Sequence, residues 1–345
     1  MYKKILVPLD GSALSHAVLP CVRAVARCSN ASAVLLRVVP EIGMRIGGAA
    51  VQPGEQPSPA SLAPEVTEYE LAARAYLNGL ADELSAAGIA VQTRTAAGPV
   101  SQGILDAADE EGADLIAMST HGRGGLRRFL LGSIASRIVH YAKTPVLLVR
   151  ATAEEQLPAE FVCRRVLVPL DGSEFSRAVL PHVRDIAICT GAKVTLLQAI
   201  PEPELAASEA HWMLTFGGLA SIGEVPVRGA SSPGAALPSQ QEWSESIRAK
   251  LARQMEHATE AAQASLNAAA ADLSAAGVPV ETAVRVGQPA EVILDAARFD
   301  DVDMIAMTTH GRSGIQRFLL GSVADQVVRH AHVPVLLVRS KFNSR

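Results

Sequence analysis

At 345 residues the chain is long enough for two domains of ordinary size. With 49% hydrophobic against 19% charged residues it can bury sizeable cores, which excludes a disordered chain. A formal net charge of −4 and 4% aromatic residues exclude a nonspecific nucleic-acid binder, which needs a basic excess and base-stacking rings.

The predicted elements alternate from the start. A first strand, Lys4–Pro8, leads into Pro8-Leu9-Asp10-Gly11-Ser12 and a helix over Ser15–Ala26. A second strand, Ala33–Val39, is followed by Glu41–Pro64, whose Gly, Pro and Ala content reads as a flexible loop. Helix Thr67–Ala87 comes next, with Gly88 supplying a left-handed stop, then strand Val91–Ala96. Pro99 opens helix Val100–Asp109 with a helix-compatible φ. Strand Leu115–Met118, a glycine-rich loop, helix Ser133–Tyr141 and strand Val146–Val149 complete the series. Five strands alternating with helices predict a doubly wound parallel sheet with helices on both faces. Such sheets bind ligands at the carboxyl ends of their strands.

The whole series then repeats. Ile5–Ser12 returns as Val166–Ser173 at an offset of 161 residues, and Thr120–Arg123 returns as Thr309–Arg312 at an offset of 189. Between Gly112–Arg150 and Asp301–Arg339, 24 of 39 aligned positions are identical. The change in offset places 28 extra residues in the second copy, between Pro201 and about Ala262. The reading is therefore two tandem α/β domains, 1–150 and 161–340, joined by a linker over 151–160 and with an insertion around 201–262. Glu242–Ala276 reads as a long helix of the second domain. No apolar run approaches the roughly 20 residues of a membrane span. Met1–Pro8 runs into a strand without room for a signal peptide, so a soluble, cytoplasmic protein is expected. The four cysteines, Cys21, Cys28, Cys163 and Cys189, show no C-x-x-C spacing. They read as buried thiols acting as small hydrophobes, with neither a zinc knuckle nor a redox pair suggested.

Two strand ends carry unusual residues in both copies. Asp10 and Asp171, just past the first strand of each, suit a ribose hydroxyl or a metal ion; equally, with Ser12 and Ser173 they suit a helix cap. After the fourth strand come Met118-Ser119-Thr120-His121-Gly122-Arg123 and Met307-Thr308-Thr309-His310-Gly311-Arg312. Further on, Gly132-Ser133 and Gly321-Ser322 open a helix. Glycines admit a close backbone approach, a helix start presents N–H groups and partial positive charge, and the arginines add a cation, which together describe a polyphosphate cradle. There is no G-x-x-x-x-G-K-[ST] and no G-x-G-x-x-G after the first strand.

The pattern G-x2-G-x9-G-[ST] after the fourth strand, with an Asp after the first, resembles the universal stress protein family, here as a tandem two-domain member. The resemblance implies strand order 3-2-1-4-5, bound ATP, AMP or ADP with Mg²⁺ or Mn²⁺, and dimeric assembly. It also implies roles residue by residue. Pro8, Leu9 and Asp10 would line the adenosine, and Val38 would meet adenine through its backbone. Met118, Ser119, Gly122 and Arg123 would surround ribose and phosphates, with Gly132, Ser133 and Ile134 holding the phosphates. In the second copy these are Pro169, Leu170, Asp171, Ala199, Met307, Thr308, Gly311, Arg312, Gly321, Ser322 and Val323. Ser119 and Thr308 depart from the first motif glycine. Ala199 replaces a larger apolar residue, making the second site the weaker expectation.

Other constellations carry less. His121 and His310 read as phosphate-bonding groups or as general bases without a visible partner. His330 and His332 read as a surface pair, since the first copy has Tyr141 and Lys143 there. Arg127, Arg128 and Arg317 read as phosphate contacts or as solvated ends. Trp212, Phe216 and Trp243 read as internal packing or as a partner surface. The apolar strands Val146–Val149 and Val335–Val338 read as sheet edges that need covering, by each other within the chain or between chains. The function expected is a regulatory adenine-nucleotide-binding protein, against the alternatives of a nucleotide-free interaction scaffold or a slow ATPase.

Overall fold

In a computed structural model, residues 1–39, 59–120, 131–150, 160–202, 240–309 and 320–340 are described, with the backbone alone for 59–68 and 240–244. In the first half, β1 (Lys4–Pro8), β2 (Ser32–Val39), β3 (Val91–Ala97), β4 (Leu115–Ser119) and β5 (Val146–Val149) alternate with helices. These are α1 (Leu19–Ser29), α2 (Pro59–Ala86), α3 (Val100–Glu110) and α4 (Ser133–Tyr141). The second half repeats the order with β6 (Arg165–Pro169), β7 (Lys193–Ile200), β8 (Val280–Val286), β9 (Met304–Thr308) and β10 (Val335–Val338). Its helices are α5 (Leu180–Thr190), α6 (Gln240–Ala275), α7 (Pro289–Phe299) and α8 (Ser322–His330).

Each half has the parallel order 3-2-1-4-5, and the two halves form one ten-stranded sheet, β3-β2-β1-β4-β5-β10-β9-β6-β7-β8. The join is antiparallel: Val335 pairs with Leu148, Leu336 with Leu147 and Leu337 with Val146. Two apolar edges thus cover each other inside one chain, the first of the two arrangements expected for them.

Strand residues alternate between two cores, as the period of two demands. Ile5 and Val7 pack with α1 and α2, while Leu6 packs with α3 and α4 on the other face. Each core runs across the join: α1, α2, α5 and α6 lie over one face, α3, α4, α7 and α8 over the other. Ile5, Leu6 and Val7 are fully buried, each contributing about 1.5–3 kcal/mol relative to exposure. Among the described residues no helix is long and apolar enough to cross a membrane.

Two helix boundaries and the cysteines differ from expectation. The helix expected over Ser15–Ala26 is a 3₁₀ turn, Ala13–Val18, followed by α1, with Pro20 in the first turn of α1. Proline lacks an N–H and is tolerated where a helix starts, so the chain begins a fresh helix there. Helix α2 starts at Pro59, inside the stretch read as a loop, for the same reason. The cysteines correct the reading of four plain thiols: Cys28 and Cys189 are joined as a disulfide, while Cys21 and Cys163 are buried and free.

Candidate functional site

The order 3-2-1-4-5 reverses direction between β1 and β4, which pair directly through Ile5–Leu115 and Leu6–Ile116. Their carboxyl ends therefore open a crevice at the switch point, flanked by the end of β2. All the described candidate residues of the first half lie along that edge.

At the end of β1, Pro8 still pairs with Leu36, and Leu9 donates its N–H to the Leu36 carbonyl at 2.8 Å. Asp10 follows, and its Oδ1 accepts from the Ser12 N–H at 2.9 Å and from the Ser12 hydroxyl at 2.6 Å. Ser12 in turn caps the 3₁₀ turn, its Oγ accepting from the Ser15 N–H at 3.2 Å. The capping role raised from sequence is present, and it fixes the Asp10 carboxylate at the crevice. The second half reproduces the network: Asp171 accepts from Ser173 at 2.9 and 2.6 Å, and Ser173 from Ser176 at 3.2 Å.

At the end of β4, Met118, Ser119 and Thr120 are buried. Thr120 donates to the Val149 carbonyl at 2.9 Å, and its own carbonyl accepts from the Gly132 N–H at 3.0 Å. This bond pins the start of α4 to the end of β4. A Cβ on Gly132 would sit 2.7 Å from the Thr120 carbonyl oxygen, so glycine is required for the approach. Among the described residues no side chain caps α4, and the first N–H groups of a helix, here those of Ser133 and Ile134 included, have no acceptor within it. In the second half Gly321 donates to the Thr309 carbonyl at 2.9 Å, and α8, with Ser322 and Val323 in its first turn, likewise has no side-chain cap among the described residues. Helix α8 differs in carrying Asp325 in its first turn, ion-paired to Arg329 at 2.7 Å.

Val38, near the end of β2, pairs with Ala96, and its side chain packs on α3 at Gly103, where a Cβ would lie 3.1 Å from Val38 Cγ1. Ala199 pairs with Arg285 in the same register of the second half, and Val292 of α7 stands where α3 has Gly103. A side-chain link also crosses the halves here: the Leu320 N–H donates to His140 Nε2 at 3.4 Å. His140 Nδ1 therefore carries the proton and donates to the Ser136 carbonyl at 2.5 Å.

Pro169, Leu170, Asp171, Met307 and Thr308 lie at the corresponding edge of the second half. His121, Gly122, Arg123, Arg127, Arg128, His310, Gly311, Arg312, Arg317, Trp212 and Phe216 lie outside the described residues, and for Trp243 only the backbone is described. His332 is exposed and the His330 ring bonds the Gln326 carbonyl.

The profile of the family described as universal stress protein family matches residues 1–150 and 230–339. The chain belongs to the universal stress protein family. Among its relatives, a universal stress protein of Mycolicibacterium smegmatis is 28% identical over 258 residues, 74% of this chain and 70% of its own. Universal stress protein MJ0577 of Methanocaldococcus jannaschii is 28% identical over 178 residues, 52% of this chain and 96% of its own. The crystal structure of a universal stress protein from Archaeoglobus fulgidus covers 98% of both chains with a TM-score of 0.62 at 19% identity, a likeness of fold. The universal stress protein pattern in the sequence left out three residues at these edges, Gly103, Val292 and His140. Gly103 and Val292 were visible only as the residues that α3 and α7 turn toward β2 and β7. His140 gave no signal, since its partner is a backbone group of the other half.

Proposed function

We propose that this chain binds an adenine nucleotide (ATP, or AMP or ADP) at the carboxyl edge of each half, acting as a nucleotide-responsive regulatory protein. The reading assigns one site to 1–150 and one to 161–340, with 151–160 as connector. The observation that carries it is the start of α4, without a side-chain cap among the described residues and held against the end of β4 by the Gly132–Thr120 bond, an arrangement repeated by Gly321 and Thr309. A helix start so placed presents several N–H groups and about half a positive charge to an anion. Asp10 and Asp171, fixed by Ser12 and Ser173, are the acceptors this reading assigns to a ribose hydroxyl.

Among the described residues no group of three His, Cys, Asp or Glu side chains is placed to hold a metal. The arrangement fits Mg²⁺ held largely by nucleotide phosphates with one carboxylate, Asp10 or Asp171, since Mg²⁺ keeps few protein ligands. The ion would neutralise phosphate charge. Gly122, Arg123, Gly311 and Arg312 are assigned to the phosphates on the family pattern alone.

The test is to denature freshly purified protein and resolve the released small molecules by anion-exchange chromatography against adenine-nucleotide standards. ATP, ADP or AMP near one or two per chain is expected. Protein that releases none, and gives no calorimetric heat with Mg·ATP, overturns the reading.

A further inference from the structure

The two halves are related by a pseudo-twofold axis, and two independent features locate it. In the sheet, Leu147 pairs with Leu336, its own counterpart at the repeat offset of 189. In the helix layer above, α1 and α5 pack on each other across the join. Cys28 is the next-to-last residue of α1, and Cys189 the next-to-last of α5, separated by 161 residues. That separation is the offset of the first strands, so Cys28 and Cys189 are also counterparts. A residue on a twofold axis meets its own copy, and one cysteine position in the repeat thereby supplies both ends of a bond. The Cα atoms lie 5.4 Å apart, within the window a disulfide spans without backbone movement.

The surroundings separate this pair from the other two cysteines. Beneath it lies a small apolar cavity between the halves, about 30 Å³, lined by Cys28, Cys189, Cys163, Leu147, Ile186 and Met304 among others. Cys163 and Cys21 are buried, and burial pushes each thiol up to about 12. The thiolate is the form that attacks disulfides and peroxides, so these two are chemically quiet, Cys163 even though it lines the same cavity as the pair. Cys28 and Cys189 are each partly exposed, within reach of small oxidants and reductants.

We propose that Cys28 and Cys189 form a reversible thiol–disulfide switch that ties the two halves of the chain together when oxidised. The oxidant is a peroxide. One thiolate attacks a peroxide oxygen, giving a sulfenic acid and releasing an alcohol, or water from hydrogen peroxide. The second thiol then displaces the sulfenic hydroxyl as water, leaving the S–S bond. A dithiol reverses the change, passing two hydrogens to the cysteine sulfurs and itself becoming a cyclic disulfide. The bond closes a loop of 161 residues and so restricts the unfolded chain. It also clamps α1 to α5, the helices that follow the Asp10 and Asp171 loops. In a reducing compartment a reachable pair of this kind is open, and it closes under oxidative load. The inference stands on the axis and the cysteines and does not depend on nucleotide binding.

The test uses the full chain. Protein reduced with dithiothreitol, and a portion re-oxidised with hydrogen peroxide, are alkylated without denaturant, digested without reductant and read by mass spectrometry. A Cys28–Cys189 cross-linked peptide is expected only in the oxidised sample, with Cys21 and Cys163 alkylated only after unfolding. Thermal unfolding of the oxidised form is expected to lie about 5 °C above that of the reduced form. Cys28→Ser and Cys189→Ser are expected to lose both the cross-link and the oxidant-dependent shift. The reduced wild type serves as the substitution-free control if either variant folds poorly. No cross-link after peroxide, a cross-link through Cys21 or Cys163, a bond that survives dithiothreitol in native buffer, or equal unfolding temperatures would each overturn the switch.

Discussion

At the end of the second strand the two halves fill the same space from opposite sides. The first uses Val38 on the strand against Gly103 on the helix, and at the equivalent positions the second has Ala199 on the strand and Val292 on the helix, both in the same core. One isopropyl group has changed sides of the contact. Ala199, read alone, suggests lost packing at the second site; beside Val292, itself buried in the same core, it is half of an exchange. What each half preserves is the filled volume behind the crevice, whichever element supplies it.

Several substitutions break or sharpen that comparison. The largest effect is expected at the glycine common to both halves. Gly132→Ala drives a methyl against the Thr120 carbonyl and shifts the start of α4. Adenine-nucleotide affinity at the first site should fall about a hundredfold, or about 3 kcal/mol, as charged hydrogen bonds are lost. Gly321→Ala should do the same at the second site alone, and titration calorimetry on each variant separates the two. Equal, unchanged affinities would remove α4 and α8 from the site.

Next comes the exchange itself. Gly103→Val adds bulk where Val38 already stands, 3.1 Å from the new Cβ, and should destabilise the chain by about 2 kcal/mol in urea unfolding. Adding Val38→Ala rebuilds the second half's arrangement in the first and should recover most of that loss, a coupling that a double-mutant cycle reads directly.

A smaller effect tests the link between halves. His140→Ala removes the acceptor for the Leu320 N–H. It should weaken nucleotide binding at the second site about fivefold, or about 1 kcal/mol, while sparing the first, although His140 belongs to the first half.

The smallest concerns Tyr2 and His182, which are hydrogen-bonded at 3.1 Å and stacked. Their counterparts at the offset of 161 are Cys163 and Cys21, so one flank of the axis is polar and the other sulfur-lined. Burial holds the His182 imidazole below its ordinary range, against the upward pull of Asp185 and Asp114. The unfolded chain therefore binds a proton at a pH where the folded chain does not. Stability should fall as pH drops through the ordinary histidine value, between about 7.5 and 5.5, and level off below the folded value. His182→Gln should flatten that slope in urea midpoints measured across the same range.

Much of the fold was legible because strand pattern and punctuation agreed. Lys4–Pro8, Val146–Val149 and Val335–Val338 match their strands residue for residue, and Ala33–Val39, Val91–Ala96 and Leu115–Met118 differ by a residue at an end. Proline misled twice, at Pro20 and Pro59, because it permits a helix start as readily as it marks a loop. The candidate residues at the ends of β1 and β4 were legible because the chemistry and the topology point to one edge. Partnerships across the halves were not, for they depend on which face of one repeat meets the other. Cys28 and Cys189 share no local motif; the only trace is that their separation equals the repeat offset.

The antiparallel join of β5 to β10 has a consequence for concentration. Two separate copies of one half would pair only as far as their abundance allowed, and each amino-acid change would appear on both sides of the axis. Here the partner strand is always tethered nearby, so the pairing persists at any dilution. Each change also falls on one side only, and that independence is what lets Tyr2 face His182 on one flank while sulfur occupies the other.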